Sequence, residues 1–510
     1  MCWREGQVIN ILRDRPVEFH EEQRQFTGRF RPGLPRKHPY PGRYNPAVTS
    51  MDAVAGRGLA DRCPGALRLA EAADGYLARV RLPGGFVSGD QLRVLAGLAT
   101  ELGDGRVELT SRGNVQLRAL AAEAAVPLTA ALTRAGLLPS LDHDRVRNVV
   151  ASPLAGLDGL GSGQDLTAIV AALDAELCAT PWLAALPGRF LFAIDDGRGD
   201  VAGAGADVVA MVRADGIVVN GLAVNMPPVD GLVANEAEPL ARGPVPDNAG
   251  GSVSDVRADD ASSGVVTVML AFAAAFLDER AASGGRTWRI ADLPDGGAER
   301  LTAVVGERFG LAAAGPEPAD GRPAAHEPAG PRSAARPVGI VSGRAGSGRG
   351  AAPRSGGMAG YRVEAGGGVE PRPVTPDGLD SAVLLAPLGR LTAAQATWLA
   401  ARVAGRPARI TPWRSVVLPD QADAEAVLRE AAGLGFGVDD RSPWLRVTAC
   451  AGRPGCASAL ADVQADAAAF AARWPGRIVH VSGCGRHCGR PAATEIDVTA
   501  TSEGYQVAEV

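Results

Sequence analysis

The sequence predicts an α+β fold built from two similar halves. Apolar alternation typical of strands takes turns along the chain with the 3.6-residue periodicity of amphipathic helices. Each half has a capping-box signature before a predicted helix, at Ser88 and at Thr392, and residues 409–418 resemble residues 108–117. Two ordinary β-α-β units could share these features by chance. Internal duplication explains them together, and it predicts two halves related by a pseudo-two-fold axis.

The predicted elements follow the same order in both halves. An alternating strand precedes each capping box, and short strands flank a polar loop after the helix in the first half. Gly84 and Gly85 permit either a plain turn or a close approach of the backbone to a bound group. The predicted elements are strands at 76–82, 106–109, 115–117 and 382–386 and helices that begin after Ser88 and Thr392.

Composition excludes several classes of function. The chain has 510 residues, of which 46% are hydrophobic and 21% charged, so two or more folded units are expected. Its 52 Lys+Arg and 57 Asp+Glu residues give no positive field to hold nucleic acid or an anionic membrane. The longest apolar run, 265–277, is shorter than the roughly 20 residues that span a bilayer. Because the N-terminal residues are charged where a signal peptide is apolar, a cytoplasmic protein is expected.

Two stretches interrupt the periodic pattern. Residues 1–50 hold many charges and prolines, which indicates a disordered extension or upstream sequence wrongly included before a true start at Met51. Residues 313–375 are rich in Gly, Pro, Ala, Ser and Arg and are predicted to form a flexible linker.

Four of the seven cysteines form two pairs near the C-terminus: Cys450 with Cys456, and Cys484 with Cys488. An odd count and a cytoplasmic context argue against a disulfide framework. Three interpretations remain: an iron-sulfur cluster, a structural zinc site and free thiols. Zinc is the main alternative to the cluster, but the first pair is spaced too widely for a zinc knuckle. Four thiolates in this spacing suit a [4Fe-4S] cluster, whose irons each take one soft anionic ligand.

The flanking sequence gives this cysteine site a predicted setting. Residues 457–474 are alanine-rich and apolar, which predicts a helix opened by Cys456 whose N-terminus would stabilise the negative cluster. A β-branched strand at 478–481 precedes the second pair, and a tight loop that begins at Ser482 and Gly483 would bring both thiolates of that pair to one edge. Cys2, Cys63 and Cys178 have no evident partners.

The two cysteine segments at 450–456 and 482–488 occur together with four arginine-bearing segments earlier in the chain. Together these six segments resemble the nitrite and sulfite reductase superfamily, and within it the precorrin-3B synthase family. Sirohaem reductases of this superfamily place lysines at the bound anion, but the only lysine here, Lys37, lies outside the matching region. Arg189 stands where the lysine-bearing segment is expected, and residues 411–414 and 451–455 resemble the synthase variant. The matching segments are 81–85, 109–116, 147–153, 186–190, 450–456 and 482–488.

The resemblance implies a duplicated nitrite/sulfite reductase-like architecture with two ferredoxin-like half-domains and two larger α/β lobes. Between the extension and the linker, the first half-domain would span 51–140 and the first lobe 141–312. After the linker, the second half-domain would span 376–440 and the [4Fe-4S]-binding lobe 441–510.

The resemblance also implies an oxidoreductase of aerobic cobalamin biosynthesis. Such a monooxygenase hydroxylates the tetrapyrrole precorrin-3A at C20 with O2 and closes a γ-lactone. Electrons would come from NADH, indirectly, through a separate reductase and the cluster. Family members also contain a mononuclear non-haem iron, for which His143, His480 and His487 are candidates without a recognisable ligand spacing. A sirohaem-dependent nitrite or sulfite reductase, and a non-catalytic iron-sulfur or zinc protein, remain alternatives.

Arginines in the matching segments are the candidate substrate ligands, because guanidinium groups pair with carboxylates in two-pronged fashion. The substrate is expected in a cleft between the duplicated halves, beside the cluster. With 51 arginines in the chain, any single one could equally be a solvated surface charge, and the two amides could merely close a turn. The candidate substrate-binding residues are Arg79, Arg81, Arg112, Arg147, Arg189, Asn114 and Gln116, and the candidate cluster ligands are Cys450, Cys456, Cys484 and Cys488.

Overall fold

The computed structural model describes residues 8–9, 63–224, 261–314, 339–341, 380–491 and 493–510. It confirms the α+β class and the duplication, because four five-stranded sheets fall into two matching pairs. Strands and helices are numbered along the chain, and the first is β1 (Val8–Ile9).

The first half-domain begins with a strand pair and continues through a capped helix. The Ser88 hydroxyl accepts a hydrogen bond from the Gln91 amide at 3.2 Å, and the Gln91 side chain accepts one from the Ser88 amide at 3.0 Å, so the predicted capping box is present. Leu92 and Leu95 of this helix are buried. The elements are β2 (Ala70–Ala72), β3 (Gly75–Val80), β4 (Phe86–Val87), α1 (Gly89–Leu102), β5 (Arg106–Leu109), β6 (Val115–Leu120) and α2 (Ala125–Arg134).

The first lobe follows α2 and alternates strands with helices before it ends in two helices. Its elements are β7 (Val149–Ala151), α3 (Thr167–Ala179), β8 (Phe192–Asp195), β9 (Val208–Arg213), β10 (Gly216–Val219), β11 (Leu222–Val224), α4 (Ala261–Ala282) and α5 (Gly297–Phe309). The aromatic side chains of Phe190, Phe192 and Phe276 pack together in its core.

The second half-domain repeats the first. Thr392 accepts a hydrogen bond from the Gln395 amide at 3.1 Å, and the Gln395 side chain accepts one from the Thr392 amide at 2.9 Å. Its elements are β12 (Gly339–Val341), β13 (Asp380–Leu385), β14 (Arg390–Thr392), α6 (Ala393–Ala400), β15 (Ala408–Ile410), β16 (Ser415–Gln421) and α7 (Ala424–Gly433). The second lobe contains β17 (Val447–Ala449), α8 (Val463–Arg473), β18 (Val479–Ser482), β19 (Ile496–Thr501) and β20 (Gly504–Glu509).

The two half-domains exchange their short edge strands. The sheet orders are β14-β5-β6-β3-β2 and β12-β13-β16-β15-β4, so each sheet ends in a strand from the other half. Val87 of β4 pairs with Ala408, and Leu391 of β14 pairs with Val107, both antiparallel. Buried side chains of both half-domains form one hydrophobic core, in which α1 packs against α6. The exchange fixes the two halves against each other.

The two lobes share one topology as well. Their sheet orders are β11-β10-β9-β8-β7 and β1-β20-β19-β18-β17. In the first lobe β7, β8 and β9 are parallel, and in the second β17, β18 and β19 are parallel; the remaining strands join antiparallel. By this correspondence β7 matches β17 and β8 matches β18. The loops that follow these strands therefore occupy equivalent places in the two lobes.

Two stretches expected to lack structure each contribute one strand. In the predicted disordered extension 1–50, β1 pairs with β20, with Ile9 opposite Tyr505. In the predicted linker 313–375, β12 pairs with β13. At these residues the structure differs from the prediction, since Val and Ile favour extended strands wherever a sheet edge is open. The other residues of 1–50, and residues 315–338 and 342–375 of the linker, lie outside the described part.

The helix expected at 457–474 begins later. α8 starts at Val463, where the Asp462 side chain accepts a hydrogen bond from the Ala465 amide at 3.1 Å. Residues 456–461 form turns instead, because the Leu460 amide donates to the Gly483 carbonyl at 2.8 Å. The prediction that Cys456 opens the helix was wrong, and α8 presents no N-terminus at that cysteine.

None of the described helices combines the length and apolar character needed to cross a bilayer.

Candidate functional site

Two of the four candidate cysteines lie at the same edge of the second-lobe sheet. Cys450 follows β17 and Cys484 lies two residues beyond the end of β18, and these neighbouring strands are parallel. The Gly483 amide donates to the Cys450 sulfur at 3.1 Å, and the Cys450 amide donates to the Val481 carbonyl at 3.0 Å. Parallel pairing of β17 and β18 therefore brings one cysteine of each pair to the same edge.

The loop that carries Cys456 is held against the second cysteine loop. The Cys456 amide donates to the Gly452 carbonyl at 2.8 Å, and the Arg453 side chain donates to the Ala459 carbonyl at 2.8 Å. A Cβ atom at Gly483 would lie 2.7 Å from the Cβ of Ala459, so glycine lets the two loops touch. Cys488 is the most exposed of the four.

The donor set fits an iron-sulfur cluster better than a single zinc ion. The four cysteines are free of disulfides. In the described part of the chain, no three of their sulfur atoms lie within 4.8 Å of one another. Four thiolates around one Zn²⁺ at about 2.3 Å would stand about 3.8 Å apart. A cluster with one thiolate on each iron needs the wider spacing.

An arginine of the first half-domain reaches the first cysteine loop. Arg118 of β6 donates to the Gly455 carbonyl at 2.9 Å and pairs in two-pronged fashion with Asp74 at 3.0 and 3.1 Å. Both side chains are about one-tenth exposed. Arg118 thus ties the loop between Cys450 and Cys456 to a distant part of the sequence.

A second connection joins Cys450 to the exchanged strand β14. Gln464 of α8 donates to the Cys450 carbonyl at 3.1 Å and accepts a hydrogen bond from Arg390. Arg390 in turn pairs with Glu108 at 3.2 Å and with Asp104 at 3.3 Å. The strand exchange therefore brings a charged network to the cysteine lobe.

The same network continues to one of the predicted substrate arginines. Gln116 donates to Glu108 at 2.7 Å and accepts a hydrogen bond from Arg79 at 3.2 Å. Burial lowers the pKa of Arg79, whose Nε atom is buried without a partner. In this arrangement Gln116 positions Arg79.

Arg81 is buried, and three of its five N–H donors are unused. Its Nη2 donates to the carbonyls of Pro64 and Arg145, each at 3.3 Å, whereas Nε and Nη1 have no partner. Burial and the charge of Arg79 lower the pKa of Arg81 to about 9. Unpaired buried donors next to a second positive charge favour an anionic ligand.

Arg112 belongs to the same electropositive group. Burial lowers its pKa, and the positive charges of Arg289 and Arg79 lower it further. Its loop is fixed by Thr110, whose hydroxyl accepts a hydrogen bond from the Asn114 amide at 3.1 Å. Arg79, Arg81 and Arg112 are thus brought together.

Two further predicted arginines have other surroundings. Arg147 pairs with Asp174 through two contacts of 2.6 Å and donates to the Leu137 carbonyl at 3.0 Å, with its side chain only 4% exposed. This structural ion pair differs from the substrate contact predicted for it. Arg189 is exposed and stacks on Trp288 at 5.7 Å.

The predicted amide and glycines support the loop packing. The Asn114 side chain accepts a hydrogen bond from the Leu82 amide at 2.9 Å, and its nitrogen is buried without a partner. A Cβ atom at Gly85 would lie 2.0 Å from the Ile410 carbonyl oxygen. Contact with the second half-domain therefore accounts for Gly85.

Among the candidate histidines, His143 is engaged at both ring nitrogens, with Ser140 at 2.8 Å and the Thr180 carbonyl at 3.1 Å. His480 is buried and His487 is partly exposed near Asp497.

An acidic group in the first lobe occupies the place equivalent to the cysteines. Asp195, Asp196 and Asp200 have oxygens within 4.8 Å of one another. Asp195 accepts four backbone hydrogen bonds of 2.8–3.0 Å, and Asp196 pairs with Arg198. The carboxylates of Asp195 and Asp196 therefore already have hydrogen-bond and ion-pair partners in the loop that follows β8.

Sequence reasoning missed several residues of the site. Arg289 pairs with Asp207 at 2.7 Å and adds charge next to Arg112. Cys63 interacts electrostatically with Arg79, Arg81 and Arg112. One signal could have identified Arg118 as a residue with a specific partner, because it is a charged residue inside the mainly apolar strand sequence 115–120.

Comparisons with known proteins support a relation to the nitrite/sulfite reductase superfamily. The nitrite/sulfite reductase ferredoxin-like half domain family matches residues 69–135. The structure of the Mycobacterium tuberculosis NirA protein superposes with a TM-score of 0.55 at 20% identity, covering 85% of this chain and 73% of that one.

Two kinds of relative share sequence with the chain. The precorrin-3B synthase of a Sinorhizobium species is 26% identical over 450 residues, 87% of this chain and 81% of that protein. The ferredoxin–nitrite reductase of Synechococcus elongatus is 34% identical over 129 residues, 24% of this chain and 25% of that protein. The chain thus matches only about a quarter of the length of that nitrite reductase.

Proposed function

We propose that the protein is a precorrin-3B synthase, an oxidoreductase that uses O2 to hydroxylate precorrin-3A at C20 with γ-lactone formation. The observation that carries this proposal is the match to a precorrin-3B synthase along 87% of the chain. The electropositive group of Arg79, Arg81 and Arg112 supports a polycarboxylate substrate, because each buried carboxylate needs a positive partner.

In this proposal Cys450, Cys456, Cys484 and Cys488 hold a [4Fe-4S] cluster, which would pass electrons from NADH, delivered by a separate reductase. The polypeptide binds the substrate carboxylates, keeps the cysteine loops in place through Arg118 and Gln464, and joins both sites through the network of Arg390 and Glu108. No residues are proposed for a non-haem iron.

Absorption and EPR spectra of anaerobically purified protein, recorded with and without precorrin-3A, test the proposal. The expected result is a broad iron-sulfur spectrum and, with NADH, a reductase and O2, a product heavier by one oxygen atom. A chlorin-type absorption band in the purified protein would instead identify a sirohaem reductase. Absence of both tetrapyrrole binding and product would leave a non-catalytic metalloprotein.

Arg112→Ala is expected to weaken precorrin-3A binding about ten- to a hundredfold, because a hydrogen bond to a charged group contributes roughly 1.5–3 kcal/mol. Arg112→Lys should recover only part of the loss, since an ammonium group cannot form the two-pronged pairing. Equilibrium titration measures the affinity, and the iron-sulfur spectrum should stay unchanged. Normal binding by Arg112→Ala, matching the exposed control Arg93→Ala, would show that the loop is only structural.

Arg118→Leu is expected to loosen the loop between Cys450 and Cys456 and to speed the loss of iron to a chelator about tenfold, which corresponds to about 1.4 kcal/mol. The Gly455 carbonyl loses its charged donor, and Asp74 loses its partner. Iron release followed by absorbance measures the effect. Arg106→Leu, an exposed change on the same sheet, is the control; equal release rates in both variants would contradict the positioning role.

A further inference from the structure

Three buried polar side chains share one face of the second-lobe sheet and have atoms without partners. His480 Nε2, Ser482 Oγ and Asp497 Oδ1 each lack a hydrogen bond, although the residues are at most 4% exposed. His480 and Asp497 are register partners on neighbouring strands, and Ser482 is two residues beyond His480. Val479, Val481 and the other alternate residues pack on the opposite face, in the core under α8. Unpaired polar atoms in such a place need a partner that the chain does not supply.

The polarity of His480 favours an acceptor ligand. Its Nδ1 lies 2.8 Å from the Thr448 hydroxyl, a shorter contact than the 3.4 Å from that hydroxyl to the Val479 carbonyl. We assign the hydroxyl proton to Nδ1, which leaves a neutral ring with its hydrogen on Nε2. The Nε2 of His480 and the hydroxyl of Ser482 are then both available donors.

Arg414 brings a positive charge to this face. Burial lowers the pKa of His480, and Arg414 is among the positive charges that lower it further. It lies at the tip of the loop between β15 and β16, and its side chain covers Gly389. A Cβ atom at Gly389 would lie 2.5 Å from Arg414 Cδ. The neighbouring Leu388 packs against the second-lobe core. Burial lowers the pKa of Arg414, and in the described part of the chain its guanidinium makes neither a hydrogen bond nor a salt bridge.

The backbone of Arg414 has a conformation that suits glycine. Its φ is +64°, and its counterpart in the first half-domain is Gly113 with φ +67°. The loops match bond for bond: the Gly113 amide donates to the Thr110 carbonyl at 3.2 Å, and the Arg414 amide to the Thr411 carbonyl at 3.1 Å. An arginine held at such a φ is strained relative to glycine, so the side chain is present at a cost in stability.

The remaining charges around this face leave room for an anion. Asp497 is 2.6 Å from Arg490 through Oδ2, and His487 Nδ1 is 3.0 Å from the same oxygen but outside hydrogen-bonding geometry. Glu108, the acidic group that acts on Arg414, already pairs with Arg390. Each carboxylate therefore has another arginine, and Arg414 is left for a ligand.

We propose that Arg414, His480 and Ser482 form a second carboxylate subsite, on the cysteine-lobe side of the cleft, that binds one acidic side chain of the tetrapyrrole. This inference rests on the proposed function and adds a contact separate from Arg79, Arg81 and Arg112. One carboxylate takes the guanidinium of Arg414 and the donors of His480 and Ser482. The two sides of the cleft then fix the orientation of an asymmetric macrocycle.

Arg414→Gly tests the subsite without threatening the fold, because glycine accepts a φ of +64°. Titration of the holoprotein with uroporphyrin I, a metal-free octacarboxylate porphyrin, should show affinity about ten- to a hundredfold weaker than wild type. The thermal unfolding temperature of the Arg414→Gly variant should not be lower than that of the wild type, and its iron-sulfur spectrum should be unchanged. Leu388→Gly, which relieves the same backbone conformation at φ +53° without removing a charge, is the matched control and should bind as wild type if its fold is intact.

A double-mutant cycle separates this subsite from the first one. Arg414→Gly and His480→Gln should be strongly non-additive, because both act on one carboxylate, whereas Arg414→Gly and Arg112→Ala should be additive. Wild-type affinity in Arg414→Gly, or additivity with His480→Gln, would overturn the subsite while the proposed function stands. Failure of the wild-type protein to bind the porphyrin would overturn both.

Discussion

Replacement of any one of Cys450, Cys456, Cys484 and Cys488 by serine is expected to abolish the stable [4Fe-4S] cluster. Each iron takes one thiolate, so a missing ligand leaves one iron open to solvent and to oxidation. The loops offer no spare sulfur, because the other described cysteines, Cys63 and Cys178, belong to other parts of the chain. The iron and sulfide content, measured by chemical analysis, should fall from about four atoms of each per chain to a small fraction of that number.

Cys178→Ser is the control for these four variants. Burial and Asp174 raise the pKa of Cys178 to about 11, so it remains a protonated thiol and a poor metal ligand. Circular dichroism distinguishes loss of the cluster from loss of the fold. Full retention of iron and sulfide by one of the four cysteine variants would remove that residue from the ligand set, and a single zinc ion per chain would replace the cluster proposal.

The sequence predicted those parts of the fold that local chemistry determines. The capping boxes at Ser88 and Thr392 set the starts of α1 and α6, and alternation located β3 and β13 to within two residues. The duplication followed from the same signals. Each of these features depends on residues close together in the chain.

The exchange of β4 and β14 could not be predicted in this way. These strands have two and three residues, too few to show a period, and their partners lie more than 280 positions away. The start of α8 was predicted too early because the alanine-rich composition of 457–474 hid the N-cap at Asp462. The turns before α8 are held by the hydrogen bond from the Leu460 amide to the Gly483 carbonyl, which also joins residues that are distant in sequence.

The site shows the same division. Two of the predicted cluster ligands, Cys450 and Cys484, lie at one sheet edge because β17 and β18 are parallel neighbours. The roles of single arginines depend on partners that a sequence does not reveal. Arg147 forms an ion pair with Asp174, whereas Arg81 keeps buried N–H donors without a partner and Arg414 forms no salt bridge in the described part of the chain. Motif membership alone does not distinguish a structural ion pair from a substrate ligand.

Arg409→Met is expected to destabilise the protein by about 2–3 kcal/mol, since it removes a buried guanidinium from a carboxylate that is 31% exposed and from two carbonyls. Arg409 is fully buried and donates to Asp165 at 2.8 Å and to the carbonyls of Pro153 and Ala155 at 3.0 and 2.7 Å. These contacts join the second half-domain to the loop after β7. Methionine fills much of the space but leaves two carbonyls without a donor and removes the guanidinium from Asp165, whose Oδ1 still accepts a hydrogen bond from the Thr167 amide.

The measurement is the urea midpoint of unfolding, compared within one series of variants because a chain of this size need not unfold in two states. Arg93→Met is the matched control: its pair with Asp90 is exposed, at 54% and 91%, and such pairs contribute at most about 1 kcal/mol. A midpoint for Arg409→Met that equals the control would contradict the role of this residue. A large loss of stability with an unchanged iron-sulfur spectrum at low urea would show that Arg409 holds the lobe to the half-domain without affecting the cysteine site. Its hydrogen-bond partners all lie in residues 153–165 of the first lobe.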